Sequence, residues 1–311
     1  MKLRIARSQA EIGPLRSAWE RLYSPERHTI FQTFAWNRLA AEMFSGRERP
    51  HVIYAENAGG AALIPAAIAS DRISFLGEAL FDYRDVLTAG DGSALASAWL
   101  ELARLGLPLS VPGLRFAADW REFDLRPFSE APCIQVSEGA HFNAAHARAG
   151  RLVRRLERVG VKLKRADGSA TELLHGIYLR KAVQFGSDNL FLDRQRVEFL
   201  LRAAALAPTA VDVFTLEAGE MIAALVTLRD GAVRRFYTTW FDDAWSHYSP
   251  GTALLFEVTR RSLAEGLNCD YMTGSQPHKR RFATRSVPLF RAEASAEELA
   301  RIAGQPAERA A

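Results

Sequence analysis

Cysteine is scarce: Cys133 and Cys269 are the only two in 311 residues. They stand far apart in the chain without metal-ligand spacing. That excludes a disulfide framework and a zinc site, and it points to a reducing compartment. Long apolar runs are missing as well. No stretch approaches the ~18 apolar residues that a membrane-spanning helix requires. Residues 1–13 have no apolar core of the signal-peptide kind, so the cytoplasm is the expected location. A large excess of charge is also missing, since 40 Lys and Arg face 36 Asp and Glu, a net charge of +4. So small a surplus suits an anionic ligand but does not by itself argue for nucleic acid. What the chain does have is apolar material, 48% of its residues, enough to fill a core. Its length is long for one core and comfortable for two.

The clearest organisation is an internal repeat. VIYAENAGGAALIPAAI begins at Val52, and VFTLEAGEMIAALVTLR begins at Val213. Each is an apolar strand ending in Glu, a small turn with Gly, and a second apolar strand. Glu56 and Glu217 hold the same place, and 217 − 56 = 161, close to half the chain. Two domains of one fold are expected.

The flanks extend the match. Residues 169–186 read as a helix with Leu173, Leu174, Ile177 and Tyr178 on one stripe. A second helix follows, with Asp193 as its N-cap. Three strands come next, VDVFTLE, MIAALVTLR and AVRRFYTTWF, the last two joined at Asp230-Gly231, which tolerates a hairpin turn. A helix from Pro250 to about Gly266 and a strand NCDYMTG complete the series. The first half follows the same order more loosely, with FDYRDVLTAGDG expected as a loop. The predicted domains are residues 1–145 and 146–295, with a polar, Ala-rich tail over 296–311.

Ser249-Pro250-Gly251 opens the helix after the third strand of the second series. Pro suits the first helical turn because it has no N–H to leave unpaired. Gly251 lets a ligand approach the backbone. The free amides that follow, at the positive end of the helix dipole, suit a pyrophosphate. The same three residues also serve as an ordinary helix start. The helix itself is core packing, with Leu254, Leu255 and Val258 on one face and Phe256 and Leu263 on another.

This order of elements resembles the GNAT acetyltransferase fold occurring twice. YSPGTALLFEVTRRSLAEGLNCDYMTG followed by KRRFA is similar to the CelD/BioF2-like acetyltransferase family, relatives of the Fem peptidyltransferases. The matching positions are Ser249, Pro250, Gly251, Gly266, Asp270, Gly274 and Lys279, joined in the first half by FQTFAW and DYRDVL. Where the family often has Tyr before the lysine, His278 stands here, and the pyrophosphate loop is reduced to Ser249, Pro250, Gly251 and Thr252. The resemblance implies an α/β (α+β) chain of tandem GNAT-like domains, each a mixed, mostly antiparallel sheet flanked by helices. It implies acetyl-CoA as acyl donor, without a metal, and transfer to an amine or hydroxyl of a sugar or polysaccharide precursor by direct attack in a ternary complex. It also implies a pantetheine arm along RRFYTTW, at Thr238 and Thr239, and an acceptor in the cleft between domains.

Acyl transfer needs a proton acceptor, an oxyanion donor and a proton for the leaving thiolate. Asp270 is the candidate base, or else a buried carboxylate satisfied by its surroundings. Tyr237 and Tyr271 are candidate proton donors to the thiolate, or core tyrosines. His247, just before the Ser-Pro-Gly, is a further candidate, or else a solvated loop histidine. Lys279 aligns with the family's charge-stabilising lysine. On the acceptor side, Asp82, Tyr83 and Asp85 in FDYRD, with Gln32 and Trp36, combine carboxylates and aromatics of the kind that hold sugars, or form a turn and a core anchor. The basic run over residues 151–165, including Arg151, Arg154, Arg155 and Arg158, is expected as an amphipathic helix whose cationic side, with Arg151 as a substrate-binding candidate, meets a small phosphorylated ligand or is a solvated face. It has no interleaved aromatics for single-stranded nucleic acid. A transfer RNA as a Fem-like aminoacyl donor is the runner-up, and a non-catalytic GNAT-fold binding protein is the other rival.

Overall fold

The computed structural model describes residues 1–184 and 189–304. The last two residues of the expected helix, 185 and 186, and the end of the expected tail, 305–311, lie outside them. Strand β1 (Lys2–Ala6), helices α1 (Gln9–Ile12), α2 (Arg16–Leu22) and α3 (Phe34–Met43), and strand β2 (Glu48–Pro50) come first. The hairpin β3 (Val52–Asn57) and β4 (Gly60–Ile64) follows, then β5 (Ala66–Ala69), β6 (Arg72–Phe75), β7 (Leu87–Gly90), α4 (Ser93–Ala103), β8 (Leu109–Leu114) and β9 (Leu125–Ile134). After them come α5 (Phe142–Ala145), α6 (Ala147–Arg158), β10 (Lys162–Asp167), α7 (Thr171–Gln184) and α8 (Arg194–Leu206). Strands β11 (Val211–Ala218), β12 (Glu220–Asp230) and β13 (Val233–Phe241) precede α9 (Pro250–Ala264) and β14 (Asn268–Asp270). Helix α10 (Pro277–Arg280), strand β15 (Arg285–Ala294) and helix α11 (Ala296–Gly304) finish the described chain.

Two units form, residues 1–129 with 288 onward, and residues 130–287. The division departs from boundaries at 145/146 and 295/296, for packing reasons. Phe142 stacks on Phe256 at 5.4 Å, which ties α5 to the second unit. Helix α11 buries Leu299, Ile302 and Ala303 in the core of the first unit, among Trp99, Leu102 and Trp120. The segment 296–304 is therefore a docked helix rather than a peripheral tail.

The first unit has an antiparallel sheet in the order β1-β3-β4-β7. A second set of strands runs β15-β8-β6-β5-β2, with β6 and β8 parallel. The second unit repeats the first arrangement as β10-β11-β12-β13, with β14 added parallel to β13. Helices fill the gap after the first strand in both units, and a helix follows the fourth. The repeat extends to single positions: Lys2 opposes Glu56 and Lys162 opposes Glu217 across the first two strands. The first unit thus has an antiparallel sheet and a mixed second set of strands, the second unit a mixed, mostly antiparallel sheet, and helices flank both.

Three sequence expectations change. The expected loop at residues 81–92 contains β7, which closes the first sheet against β4. The basic run is not one helix: α6 stops at Arg158, Gly160 turns the chain at φ 82°, and Lys162 to Arg165 belong to β10. Leu163 is the one apolar residue among Lys162, Leu163, Lys164 and Arg165, so the sequence shows no strand alternation there. Finally, β1 opens the first repeat and β10 the second, strands that the sequence pattern does not predict.

Candidate functional site

The second unit opens its sheet at β13. Asp230-Gly231 closes the β12–β13 hairpin, with Gly231 at φ 53°. Val226 pairs with Thr238 but Thr227 pairs with Phe236, so Tyr237 is an extra residue, a β-bulge. Bulges bend the strand and re-aim its side chains. On its other edge β13 pairs with β14 only from Val233 to Arg235, the last rung being Arg235 opposite Asp270. Beyond it Thr238–Phe241 has no β14 partner among the described pairings. The strands part there. β14 ends as Met272 takes φ 64°, a left-handed conformation rare for such a residue, with its N–H donated to Asp270 Oδ1 at 2.7 Å.

Helix α9 starts beside the open part of β13. Asp242 caps the turn before it by accepting from the Ala244 N–H at 2.9 Å. Ser249 sits at φ 51°, ψ 52°, with its side chain making no cap bond, and Pro250 takes the first helical position. Gly251 faces the Phe241 ring: a Cβ there would lie 3.2 Å from it. The helix start therefore adjoins the end of β13, with no side-chain cap from Ser249 over its first amides. Such an end favours an anion.

Side chains of α7 reach the same strand edge. Asp242 donates its N–H to the Ile222 carbonyl at 2.9 Å. By ladder alternation, Thr239 and Phe241 then turn their carbonyls away from β12. Lys181 Nζ donates to the Thr239 carbonyl, and Gln184 Nε2 donates to the Phe241 carbonyl at 3.0 Å. Burial, and then the charge of Lys279, bring the Lys181 ammonium down to about 8. Lys279 Nζ donates to the Thr273 carbonyl. His278 is held below the usual histidine range by burial and by Lys279, Lys181 and Arg281. Lys181 and Lys279 thus make the open edge cationic, with a neutral His278 beside them. Sequence reasoning missed Lys181. Its signal was present: Leu174, Ile177, Tyr178 and Lys181 follow the i, i+3, i+4, i+7 pattern, so a lysine completes an apolar stripe.

The other expected residues of this unit divide. Thr238 is buried, Thr239 is half-buried at the edge, and Tyr237 is half-buried at the bulge. Asp270 is buried and ion-paired with Arg235, which also donates to Asp230 at 2.7 and 2.8 Å. Tyr271 lies in the core against Phe236, with its hydroxyl 3.0 Å from Thr259 Oγ1 and donating to the Phe282 carbonyl at 3.3 Å. Burial holds that phenol well above the usual tyrosine range. Arg151 is exposed on α6. One turn on, Arg155 lies 4.5 Å over the Tyr248 ring and donates to the His247 carbonyl at 3.3 Å, while His247 itself is exposed. Neither cysteine is a poised nucleophile, since burial pushes Cys133 up to about 11 and Cys269 up to about 12.

In the first unit the expected acceptor residues turn inward. Gln32 forms a capping box with Thr29 and donates to the Tyr83 carbonyl at 2.7 Å. Trp36 is buried edge-on to Phe31 at 5.5 Å. Tyr83 is fully buried beneath Arg115, whose guanidinium pairs with the buried Asp85 at 2.7 Å. Asp82 alone of the five is half-buried rather than buried. The carboxylate-and-aromatic pattern is accounted for by Arg115, which the local sequence does not show. Arg151 belongs to the other unit.

Residues 144–280 match a family model described as an acetyltransferase (GNAT) domain. No curated protein sequence matches the chain. Among solved structures, L-PGS from Bacillus licheniformis superposes with a TM-score of 0.58 at 11% identity, over 87% of this chain and 92% of that one. FemX gives a TM-score of 0.60 at 9% identity, over 94% of this chain and 97% of that one. A tandem GNAT protein from the clavulanic acid biosynthesis pathway gives 0.51 at 11% identity, over 98% of this chain and 100% of that one. The chain has a tandem GNAT fold and carries a GNAT-type acetyltransferase domain, that of an acyltransferase.

Proposed function

We propose that this acetyltransferase domain moves an acyl group from acyl-CoA to an amine or hydroxyl of a sugar or polysaccharide precursor, by direct attack in a ternary complex. We further place the chain with the CelD/BioF2-like enzymes, on the order of motifs from Ser249 to Lys279, and in the cytoplasm, where its donor would be available. The observation that carries the donor is the start of α9 beside the open edge of β13. Amides at Gly251 and Thr252 suit the pyrophosphate, and the backbone at Thr238 and Thr239 suits the pantetheine arm. The carbonyls of Thr239 and Phe241 already accept from Lys181 and Gln184. Both donors are side chains, so both can yield to an incoming amide.

In this reading the proton shed by the attacking amine or hydroxyl reaches the departing thiolate through Tyr237, at the bulge, which gives one proton and takes up the other. Lys279 balances charge on the tetrahedral oxyanion. Asp270 holds Arg235 and so sets where the strands part, and Tyr271 fixes β14 to α9. Transfer from an aminoacylated RNA is the second reading. The engagement of the β13 carbonyls by α7 favours it, because such a donor has no pantetheine arm to accommodate.

Isothermal titration with acetyl-CoA tests the choice. Micromolar binding is expected, and Gly251→Glu should abolish it, by placing a carboxylate against the helix start. Binding untouched by that substitution would remove the site from α9. Absence of binding to the wild type would transfer the weight to the aminoacyl donor.

A further inference from the structure

The amine of Lys181 occupies ground that the donor's arm would cross. It is presented by α7 from the stripe that buries Leu174, Ile177 and Tyr178, and it is anchored on the Thr239 carbonyl. Thr239 lies two residues past the bulged Tyr237, about 7 Å along the strand. That step is within the swing of a lysine side chain. Among the described residues, Lys279 and His278 on α10 act on this edge, with Arg281 next to them. In the acyl-CoA reading, an arm laid along β13 would claim the Thr239 carbonyl and free Nζ to reach toward the bulge, where the acyl carbonyl would end.

We propose that Lys181 is itself an acyl-acceptor site, modified by a bound thioester donor when no other acceptor is present. This rests on the acyl-CoA reading above. The Nζ lone pair forms the new C–N bond at the acyl carbon. The C–S bond breaks, and the sulfur leaves with that electron pair. The proton shed by nitrogen goes to the thiolate, so amide and free thiol are the products, without an oxidant or reductant. The neutral amine is the reactive form. With Lys181 at about 8, about half of it is neutral at pH 8, against about 0.4% of an ordinary lysine. Acylation would remove the positive charge that faces Lys279.

The experiment incubates the full chain with acetyl-CoA alone at pH 8, followed by intact mass and peptide mapping, alongside titration of acetyl-CoA binding. The expected result is one gain of about 42 Da per chain, the mass of an acetyl group on lysine, mapped to Lys181 and saturating with acetyl-CoA. Lys181→Arg, which keeps the positive charge, should lose the modification. Binding without acetylation of Lys181 overturns this inference alone. Acetylation spread over exposed lysines in proportion to reagent does the same. Absence of binding overturns the acyl-CoA reading and this inference with it.

Discussion

Arg235 binds two carboxylates at the rung where β13 and β14 separate, Asp230 on its own hairpin and Asp270 on the neighbouring strand. Its neighbour Arg234 points to the opposite face, fully buried, and meets Ser262, Asp212 and Glu265. Buried guanidinium groups are tolerated because each is paired, and removing one partner strands a charge. Asp270→Asn should therefore cost about 3 kcal/mol of stability, read as a lower denaturant midpoint. Unchanged stability with lost activity would instead make Asp270 a base. The sequence shows an aspartate on a strand in either case. Only folding brings Arg235 to it, from 35 residues away. Gln32, Trp36, Tyr83 and Asp85 carry the same lesson: their residue types suggest sugar binding, and their partners place them in the interior.

At the scale of elements, periodicity separates what was readable from what was not. The hairpins β3–β4 and β11–β12 alternate or run apolar, with a glycine turn between, and both stand where the sequence put them. The short β7 shows less of this, because Thr88, Ala89 and Gly90 have little side chain to declare a face. Helix α11 escaped notice because alanine and glutamate dominate it. Its Leu299 is nevertheless fully buried, packed in the cluster that includes α4. Leu299→Ala should lower the stability of the first unit by about 2–5 kcal/mol, measured by thermal unfolding. A shift near zero would return 296–304 to the status of a tail. The bulge at Tyr237 has no sequence signature at all, since one extra residue in a strand shows only in the register with β12.

Across the whole molecule, the second unit is a continuous stretch, residues 130–287, and the first is closed by chain from both sides of it. A fragment of residues 130–287 should fold with a cooperative transition. A fragment of residues 146–295 should not, because it lacks Ile134 and Phe142 from the core. Equal cooperativity of the two in chemical denaturation would move the boundary back toward residue 146. The duplicated hairpin, the Ser-Pro-Gly helix start and the scarcity of cysteine are local or compositional, so the sequence by itself determined the tandem α/β class and the position of α9. The cationic edge made by Lys181 and Lys279, the pairing of Asp270 with Arg235 and the docking of α11 join residues distant in the chain. Tertiary structure alone decided them, because a charge or an apolar side chain acquires its role from whatever packing places against it.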